Sequence, residues 1–260
     1  MLRIEMRYIS TSKLSEESQR LITFVNYLLA ETPTGQRMSF ISNLFSPSDN
    51  PESLGAKFRN QRKKDFEELF FQNFSKDQPI RILDVGGAAY FWDNSSLPAL
   101  PNVEIVLLNL QEEIISNPKF KSVVGDATNM PEFTDNSFDL VFSNSVIEHL
   151  YTWENQQKMA KEIMRVGKKH FIQTPNRKFP IEAHYAIPFA QYYPQKLLYF
   201  LLTKTKVSRL QIWDPIHAQQ YLDEIRLLDQ SEMQKLFPGS KMYQEKFMGM
   251  IKSICAHNLS

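Results

Sequence analysis

The sequence is poor in cysteine and glycine and contains no long hydrophobic run. Its 260 residues include one cysteine, Cys255, which excludes an intramolecular disulfide and a cysteine metal cluster. The 8 glycines and 14 prolines are too few for collagen-like or extensively disordered sequence. No stretch reaches the roughly 18 apolar residues that a membrane-spanning helix needs, and residues 1–20 lack the apolar core of a secretory signal. We therefore expect a cytoplasmic protein without a transmembrane segment.

The chain also lacks an excess of charge of either sign. Lys and Arg together number 30 and Asp and Glu 29, which gives a formal net charge of +1. Proteins that bind a long polyanion usually carry a broad basic surface, so we expect no extended nucleic acid partner. The length suits one elaborated domain or two small ones with a sizeable core. The composition leaves the oligomeric state undetermined.

The apolar pattern divides the chain into regions. Residues 1–75 carry apolar positions at helical spacing, mainly at 21–29 and 66–74, on either side of a turn rich in proline and serine. We predict an N-terminal helical extension there and a second domain over residues 76–260. Within that domain, residues 176–235 are rich in proline and aromatic residues, and we predict that they form a helical lid over the sheet edge.

The second domain is predicted to contain a parallel sheet. Short runs that are apolar on both faces alternate with segments long enough for helices, which is typical of layered α/β structure. These runs cover residues 80–85, 103–108, 123–124, 138–142 and 170–173. Two further predicted strands, residues 242–247 and 251–257, flank a short turn and would add an antiparallel hairpin.

A loop of small residues follows the first predicted strand. Asp84 lies near the end of this strand, and Gly86, Gly87 and Ala88 follow it. Small residues at the carboxyl end of a strand let a ligand approach the backbone, as in nucleotide-binding α/β sheets. The dinucleotide fingerprint G-x-G-x-x-G is not met, because Ala88 and Phe91 stand where its later glycines belong. The loop favours another nucleotide-type ligand, and a tight turn without a ligand is the alternative.

This loop and three later segments resemble the class I methyltransferases that use S-adenosylmethionine, in particular the type 11 group. The later segments are Asn109-Leu110 after the second strand, Gly125-Asp126-Ala127 after the third, and residues 136–150 around the fourth. The resemblance lies in their order and spacing. It implies an α/β, Rossmann-like fold with a seven-stranded, mostly parallel sheet, helices on both faces and an antiparallel C-terminal hairpin.

The resemblance also implies that S-adenosylmethionine is the cofactor and indicates which residues bind it. Asn109 stands where an acidic residue usually binds the ribose hydroxyls, and an amide makes these bonds without the charge. Asp126 corresponds to the residue that accepts from the adenine amino group, although an Asp there also fits a turn cap. The expected cofactor-binding residues are Asp84, Gly86, Gly87, Ala88, Asn109, Leu110, Asp126, Ala127, Asn144 and Ser145.

Three residues are candidates for acting on the acceptor. Transfer to a hydroxyl needs a base, and imidazole titrates near neutral pH. Glu148 and His149 are expected to begin the helix after the fourth strand, near the methyl group, and His184 lies in a loop restrained by prolines. The alternative is that His149 packs against the lid and Glu148 caps the helix. Some relatives bind a metal through Glu-x-x-Glu-His plus a later histidine. Glu148-His149 matches the end of that pattern, but Ser145 replaces its first glutamate, so we expect no metal.

Two other segments each allow two interpretations. Residues 187–202 are rich in aromatic and aliphatic residues, which fits the core of the lid, or else the wall of an apolar acceptor pocket or a peripheral membrane contact. A basic cluster fits a solvated helix face, or else a contact with the cofactor carboxylate or an anionic acceptor. The cluster consists of Lys57, Arg59, Arg62, Lys63 and Lys64.

The predicted function is S-adenosylmethionine-dependent methylation of an oxygen on a small-molecule or glycan-type acceptor, with His149 or His184 as general base. Nitrogen and carbon acceptors remain alternatives. A rival interpretation is a methyltransferase-like binding or scaffold protein with weak turnover, indicated by Ala88 and Asn109. A second rival, a nicotinamide-dependent oxidoreductase, is disfavoured by the loop that starts at Gly86.

Overall fold

The computed structural model describes residues 54–115, 117–182 and 184–260. Most of the predicted N-terminal extension, residues 1–53, lies outside the described residues. The strands are β1 (Ile80–Val85), β2 (Val103–Asn109), β3 (Phe120–Val124), β4 (Phe138–Asn144), β5 (Gly167–Pro175), β6 (Lys241–Phe247) and β7 (Met250–His257). They form one seven-stranded sheet in the order β3-β2-β1-β4-β5-β7-β6.

The strand order sets the place where a ligand can bind. Strands β1 to β5 pair in parallel, and β7 pairs antiparallel with both β5 and β6. The chain moves outward from β1 through β2 to β3, then returns to the other side of β1 as β4. The order therefore reverses between β1 and β4, and crevices at such reversals bind ligands in open α/β sheets. The predicted α/β architecture with a mostly parallel sheet and a C-terminal hairpin is confirmed.

The central strands are apolar on both faces because both faces of the sheet are covered. In β1, every residue except Arg81 is buried, and β2 and β4 are buried over their middle residues. The edge strand β3 differs, since Phe120 is its one buried residue. Lys121 and Ser122 interrupt its apolar pattern, which explains why the sequence predicts a strand only at residues 123–124.

Helices lie on both faces of the sheet. They are α1 (Leu54–Asn73), α2 (Trp153–Val166), α3 (Gln195–Lys204), α4 (Pro215–Glu224) and α5 (Gln230–Leu236). In α2, Met159, Ile163 and Val166 point into one core cluster at helical spacing. The Thr152 side chain caps this helix by accepting from the Asn155 backbone N–H.

Helix α1 covers the opposite face. Phe66 is fully buried, and its ring centroid lies 4.8 Å from that of Phe142 in β4 and 5.1 Å from that of Phe171 in β5. Phe70 belongs to the same core cluster. A buried Phe contributes about 1.5–3 kcal/mol relative to an exposed one, so this contact holds α1 firmly on the sheet.

The segment after β4 differs from the prediction. Glu148 and His149 were expected to begin a helix, but they lie in a 3₁₀ turn, Ile147–His149, and α2 begins only at Trp153. Tyr151 has a φ of 62°, which interrupts the helical path between the two elements. The short turn keeps both side chains at the end of the sheet instead of carrying them along a helix.

The lid helices and the hairpin complete the fold. Helices α3 and α4 pack through a separate small cluster that includes Leu198, Leu202 and Ala218. The hairpin turn between β6 and β7 consists of Met248 and Gly249, with φ values of 48° and 78°. Positive φ at both central residues is the geometry that joins two antiparallel strands most tightly.

Candidate functional site

A cleft of about 580 Å³ opens at the carboxyl ends of β1, β2 and β4, where the strand order reverses. Its volume lies within the range of small-molecule sites. Most of the predicted cofactor residues line it. These are Gly86, Gly87, Ala88, Asn109, Leu110, Asp126, Ala127 and Ser145.

The glycine loop after β1 is shaped by two close approaches. Gly86 has a φ of +70°, and a Cβ built on it would lie 2.6 Å from Val146 Cγ2. A Cβ on Gly87 would lie 1.8 Å from Asp84 Oδ2. Real Cβ atoms do not come this near, so glycine is required at both positions and the backbone forms the floor of the cleft.

Asp84 lies beneath this loop rather than on the cleft wall. Its side chain is buried, and Trp92 Nε1 donates a 2.8 Å hydrogen bond to Oδ2. The other oxygen, Oδ1, is buried and has no hydrogen-bond partner. Burial, opposed by the Trp92 hydrogen bond and aided by the nearby Glu113, raises the pKa of Asp84 to about 7. The carboxyl is therefore poised to ionise when a cation comes near.

Asn109 ties the end of β2 to the same loop. Its Nδ2 donates a 2.8 Å hydrogen bond to the carbonyl oxygen of Gly87. An aspartate at this position would place an acceptor against that carbonyl. The Asn109 side chain thus donates its N–H to the loop, and its Oδ1 can accept a hydrogen bond from a ligand.

An acidic residue that the sequence analysis missed lies beside the loop. Glu113 lines the cleft, and its Oε1 accepts from the backbone N–H of Ala89 at 2.9 Å. Its Oε2 is buried without a hydrogen-bond partner. The sequence carries a signal for this residue. The family resemblance implies an acidic residue at position 109, and the acidic pair Glu112-Glu113 follows shortly after it.

Asp126 caps a turn, which is one of the two roles considered for it, and it also lies at the cleft. Its Oδ1 accepts from the backbone N–H and the hydroxyl of Thr128, both at 2.8 Å, so it caps a turn. The residue also lines the cleft and is exposed. A turn cap fixes the carboxylate in place, which leaves its second oxygen available to a ligand.

A second cavity of about 160 Å³ adjoins the cleft. Ser145 lines both spaces, so they meet at the carboxyl end of β4. Ser145 has a φ of 57°, a left-handed conformation that a serine adopts only where its surroundings hold it. Gln173 supplies that hold, because its Oε1 accepts from the Ser145 hydroxyl at 2.8 Å and its backbone carbonyl accepts from the Ser145 N–H at 3.1 Å.

The lining of the second cavity includes four cationic side chains and one carboxylate, that of Glu182. The cations belong to Arg59, Arg62, Arg209 and Lys252. Burial, together with the neighbouring Arg62, lowers the pKa of Lys252 to about 8. Arg62 forms a buried ion pair with Glu245 and donates to Asn144 Oδ1. Asn144 therefore belongs to this cavity and not to the cleft where it was predicted.

The basic cluster of the sequence divides accordingly. Arg59 and Arg62 line the second cavity, and Lys63 donates to the Phe91 carbonyl. Lys57 and Lys64 are exposed, as a solvated helix face would be. Both interpretations of this cluster thus apply, each to different residues.

The three candidate catalytic residues come together where the two cavities meet. His149 lines the cleft, and its Nε2 lies 3.2 Å from Nε2 of His184. Nδ1 of His149 lies 2.8 Å from Glu224 Oε1, and Nδ1 of His184 lies 2.6 Å from Glu182 Oε1. Burial lowers the pKa of His184, but the Glu182 carboxylate outweighs it, and the net effect is a raised pKa.

Glu148 completes this group from below. It is fully buried, and its Oε2 accepts from the Thr174 hydroxyl at 3.0 Å. Neither alternative raised for these residues describes them fully. Glu148 caps no helix, and His149 is 29% exposed in its side chain while it contacts His184 of the lid.

The lid stretch 187–202 is partly core and partly surface. Leu198 and Leu202 are buried within the lid cluster. Tyr192, Leu197 and Phe200 are exposed. Among the residues described, no helix combines the length and apolar character that crossing a bilayer requires.

Part of the chain matches a known protein family. Residues 98–170 match the family model described as a methyltransferase domain, a range that runs from just before β2 into β5 and includes Asn109, Asp126, Ser145 and His149. The chain carries a class I methyltransferase fold. The family match and this fold together support an S-adenosylmethionine-dependent methyltransferase, with S-adenosylmethionine as its cofactor. No curated protein matches the chain in sequence.

Two solved methyltransferase structures share this fold at low sequence identity, with TM-scores above 0.5. The citrinin polyketide synthase CMeT domain is 12% identical with a TM-score of 0.53, and the match covers 88% of this chain and 57% of that one. The CurJ carbon methyltransferase is 12% identical with a TM-score of 0.51, covering 96% and 72%. A SAM dependent methyltransferase from Aquifex aeolicus is 16% identical with a TM-score of 0.42, covering 84% and 97%.

The cleft of this methyltransferase fold has the features that the cofactor requires. S-adenosylmethionine carries a cationic sulfonium and a cationic amino group, and the unpartnered oxygens of Asp84 and Glu113 lie under and beside the glycine loop. Gly86 and Gly87 line the cleft with backbone atoms alone, which lets a ligand approach the chain closely. The residues present therefore fit the cofactor.

Proposed function

We propose that this protein transfers a methyl group from S-adenosylmethionine to an oxygen atom of a small-molecule or glycan-type acceptor. The observation that carries the proposal is the position of Ser145, which lines both the large cleft and the smaller cavity. A cofactor in the cleft and an acceptor in the second cavity would thus meet at one residue. Such an arrangement would hold the methyl group and the acceptor oxygen next to each other, and holding reactants together lowers the barrier to their reaction.

The charge of the second cavity supports an acceptor with an anionic group. Apart from Arg62, whose charge is paired with Glu245, three cations line it against the single carboxylate of Glu182, namely Arg59, Arg209 and Lys252. Arginine and lysine bind carboxylates and phosphates through charge-assisted hydrogen bonds. The cavity is also small, so it suits the reactive end of an acceptor better than a whole large molecule.

The residues at the junction can hold the proton that a hydroxyl acceptor must lose. When bound, S-adenosylmethionine supplies a methyl group on a positively charged sulfur. As the acceptor oxygen forms its bond to the methyl carbon, its proton passes to the imidazole pair. Glu224 and Glu182 fix the two Nδ1–H groups, which leaves both Nε2 atoms as acceptors, and a proton taken by one is shared with the other.

Cofactor binding is tested by calorimetry with S-adenosylmethionine and S-adenosylhomocysteine, with NADH as the rival ligand. Asp84→Ala and Asp126→Ala are expected to weaken binding by about 10- to 100-fold, or about 1.4–2.8 kcal/mol. Asp77→Ala, at an exposed position, is the matched control and should bind as the wild type does. Binding of NADH alone would disprove the proposal.

Turnover is tested with a panel of acceptors, scored by mass spectrometry for the gain of one methyl group. The panel includes hydroxyl compounds with and without a carboxylate, and carbon acids, because CurJ is a carbon methyltransferase. We expect His149→Ala or His184→Ala to lower the rate by about 100-fold or more while cofactor affinity is kept. His217→Ala, at an exposed histidine of α4, is the control. Cofactor binding without any methylation would favour a scaffold protein.

A further inference from the structure

The two histidines at the junction are arranged so that they need a cation between them. Each ring has its Nδ1 next to a carboxylate, Glu224 for His149 and Glu182 for His184. A carboxylate only accepts hydrogen bonds, so each Nδ1 carries the ring proton. Both Nε2 atoms then present lone pairs to one another at 3.2 Å. Two acceptors at this distance repel unless a proton or a metal ion lies between them.

Glu148 provides a third ligand atom at the same place. Its Oε1 is buried and has no hydrogen-bond partner, whereas its Oε2 is bound by the Thr174 hydroxyl. An unpaired buried carboxylate oxygen is costly, and coordination of a cation is one of the few ways to offset that cost. One ligand atom each from Glu148, His149 and His184 lies within 4.8 Å of the other two.

The distances agree with one shared ion. Nitrogen ligands lie about 2.0–2.1 Å from zinc, so two of them at a tetrahedral angle stand about 3.3 Å apart. The two Nε2 atoms already stand 3.2 Å apart. The Glu148 carboxyl needs only a turn about its terminal torsion, which is broad for glutamate.

Both rings also have the outer partners that metal-binding histidines need. Ligating histidines almost always donate their other ring N–H to a carboxylate or carbonyl, which fixes the tautomer and the ring orientation. Glu224 and Glu182 do this here. Three carboxylates lie in or beside this group, those of Glu148, Glu182 and Glu224. One guanidinium is near it, that of Arg209, which donates to the His184 carbonyl. The excess of negative charge suits a divalent ion.

We propose that Glu148, His149 and His184 bind one divalent transition-metal ion of the zinc type. Two imidazoles and one carboxylate suit such an ion, whereas Mg²⁺ prefers oxygen ligands and usually several waters. No metal is expected from the sequence, because Ser145 stands in place of the first glutamate of the relatives' pattern. Without that glutamate, the structure still brings one carboxylate and two imidazoles together, and Glu182 and Glu224 hold the two rings.

An ion here would lie between the cofactor cleft and the acceptor cavity. His149 lines the first and Glu182, the partner of His184, lines the second. In this role, which rests on the proposed function, the two imidazoles would be ligands of the ion, and the ion would replace them in activating the acceptor. It would lower the pKa of an acceptor hydroxyl at its open position, and the proton of that hydroxyl would pass to water.

The test is metal binding by the full chain, which needs no turnover. Protein freed of metal with a chelator is titrated with Zn²⁺ against a chromophoric competitor, and with Co²⁺ for the absorbance of a tetrahedral site. We expect one ion per chain and no competition from a large excess of Mg²⁺. Glu148→Gln, His149→Ala and His184→Ala should each weaken binding at least 100-fold, and Glu224→Gln about 10-fold. His217→Ala should bind as the wild type does.

Absence of stoichiometric Zn²⁺ binding by the folded wild type would overturn the proposal and leave a shared proton between the rings. Equal binding by the wild type and the three ligand variants would also overturn it. Circular dichroism checks that each variant is folded, and Glu224→Gln, at the periphery, provides a variant that leaves the buried ligands in place. Binding of S-adenosylhomocysteine is measured in parallel, so a failure of the methyltransferase function is recognised separately from a failure to bind metal.

Discussion

Trp92 Nε1 donates a 2.8 Å hydrogen bond to Asp84 Oδ2, and this contact forms the support beneath the glycine loop. The same oxygen is the atom that a Cβ on Gly87 would meet. The loop therefore rests on the Asp84 side chain, and the ionisation of that side chain is linked both to stability and to the cleft.

The first prediction concerns Asp84 and pH. Its pKa is raised to about 7 by burial, from about 3.9 in an unfolded chain. The folded state thus binds the proton more tightly, and its stability decreases as the pH rises from about 4 to about 7, by on the order of 4 kcal/mol. Asp84→Asn removes this ionisation. Urea unfolding at pH 5 and pH 8 should show the variant gaining stability relative to the wild type at pH 8.

This comparison has an internal control, because other titrating groups such as His170, whose pKa burial lowers to about 4, contribute equally to both proteins. The same stability difference at both pH values would show that Asp84 does not titrate between pH 5 and pH 8 and would contradict the prediction.

The second prediction concerns Gly87. In Gly87→Ala, the new Cβ can be accommodated only if the Asp84 carboxyl moves away from Trp92. We expect a loss of about 1–3 kcal/mol in the free energy of unfolding and weaker binding of S-adenosylhomocysteine. Gly239→Ala is the control. Its Cβ would meet nothing within 4 Å, so the substitution costs free energy only through the positive φ of +80°. Equal losses for the two variants would contradict the close approach at Gly87.

The third prediction concerns the buried ion pair between Arg62 and Glu245, whose side chains are 6% and 3% exposed. Arg62→Met leaves the Glu245 charge buried without its partner and should cost about 3–5 kcal/mol in chemical unfolding. The double variant with Glu245→Gln removes that charge and should recover part of the loss. A double variant as unstable as the sum of both single variants would mean that the two side chains do not interact.

The fourth prediction concerns Asn109. Asn109→Ala removes the hydrogen bond to the Gly87 carbonyl, and Asn109→Asp places a charge against that carbonyl as well. We expect the alanine variant to lose about 1 kcal/mol and the aspartate variant more, measured by urea unfolding at neutral pH. An aspartate variant as stable as the wild type would show that the amide donor has no role in the loop.

Much of the sheet could be predicted because its strands are apolar on both faces. The prediction for β1, residues 80–85, agrees with the structure to the residue. The polar half of β3 could not be recognised, since an edge strand with Lys121 and Ser122 lacks the buried pattern. The sequence predicts that a helix starts at Glu148 and His149, where the structure has a 3₁₀ turn. Nothing in the sequence signals the left-handed conformation of Tyr151, which separates this turn from α2.

The part of the site that one loop forms could be predicted from the sequence. The contacts between segments far apart in the chain could not. The glycine loop was evident from its small residues. The pairing of His149 with His184 was not, because it depends on the path of the lid over β5. The contribution of Lys252 and Ser253 to the second cavity depends on the β5–β7 register, in which Pro175 lies opposite Ser253. Such register cannot be read from composition.

The ion pair between Arg62 and Glu245 has a consequence for the order in which the protein forms during synthesis. It joins positions 183 residues apart, and the ribosome releases Glu245 long after α1 and β4 have been made. Arg62 stays without its counter-charge until β6 emerges, and the smaller cavity lacks Lys252 until β7 emerges. A chain stalled before β6 would therefore display the glycine loop beside an unfinished second cavity.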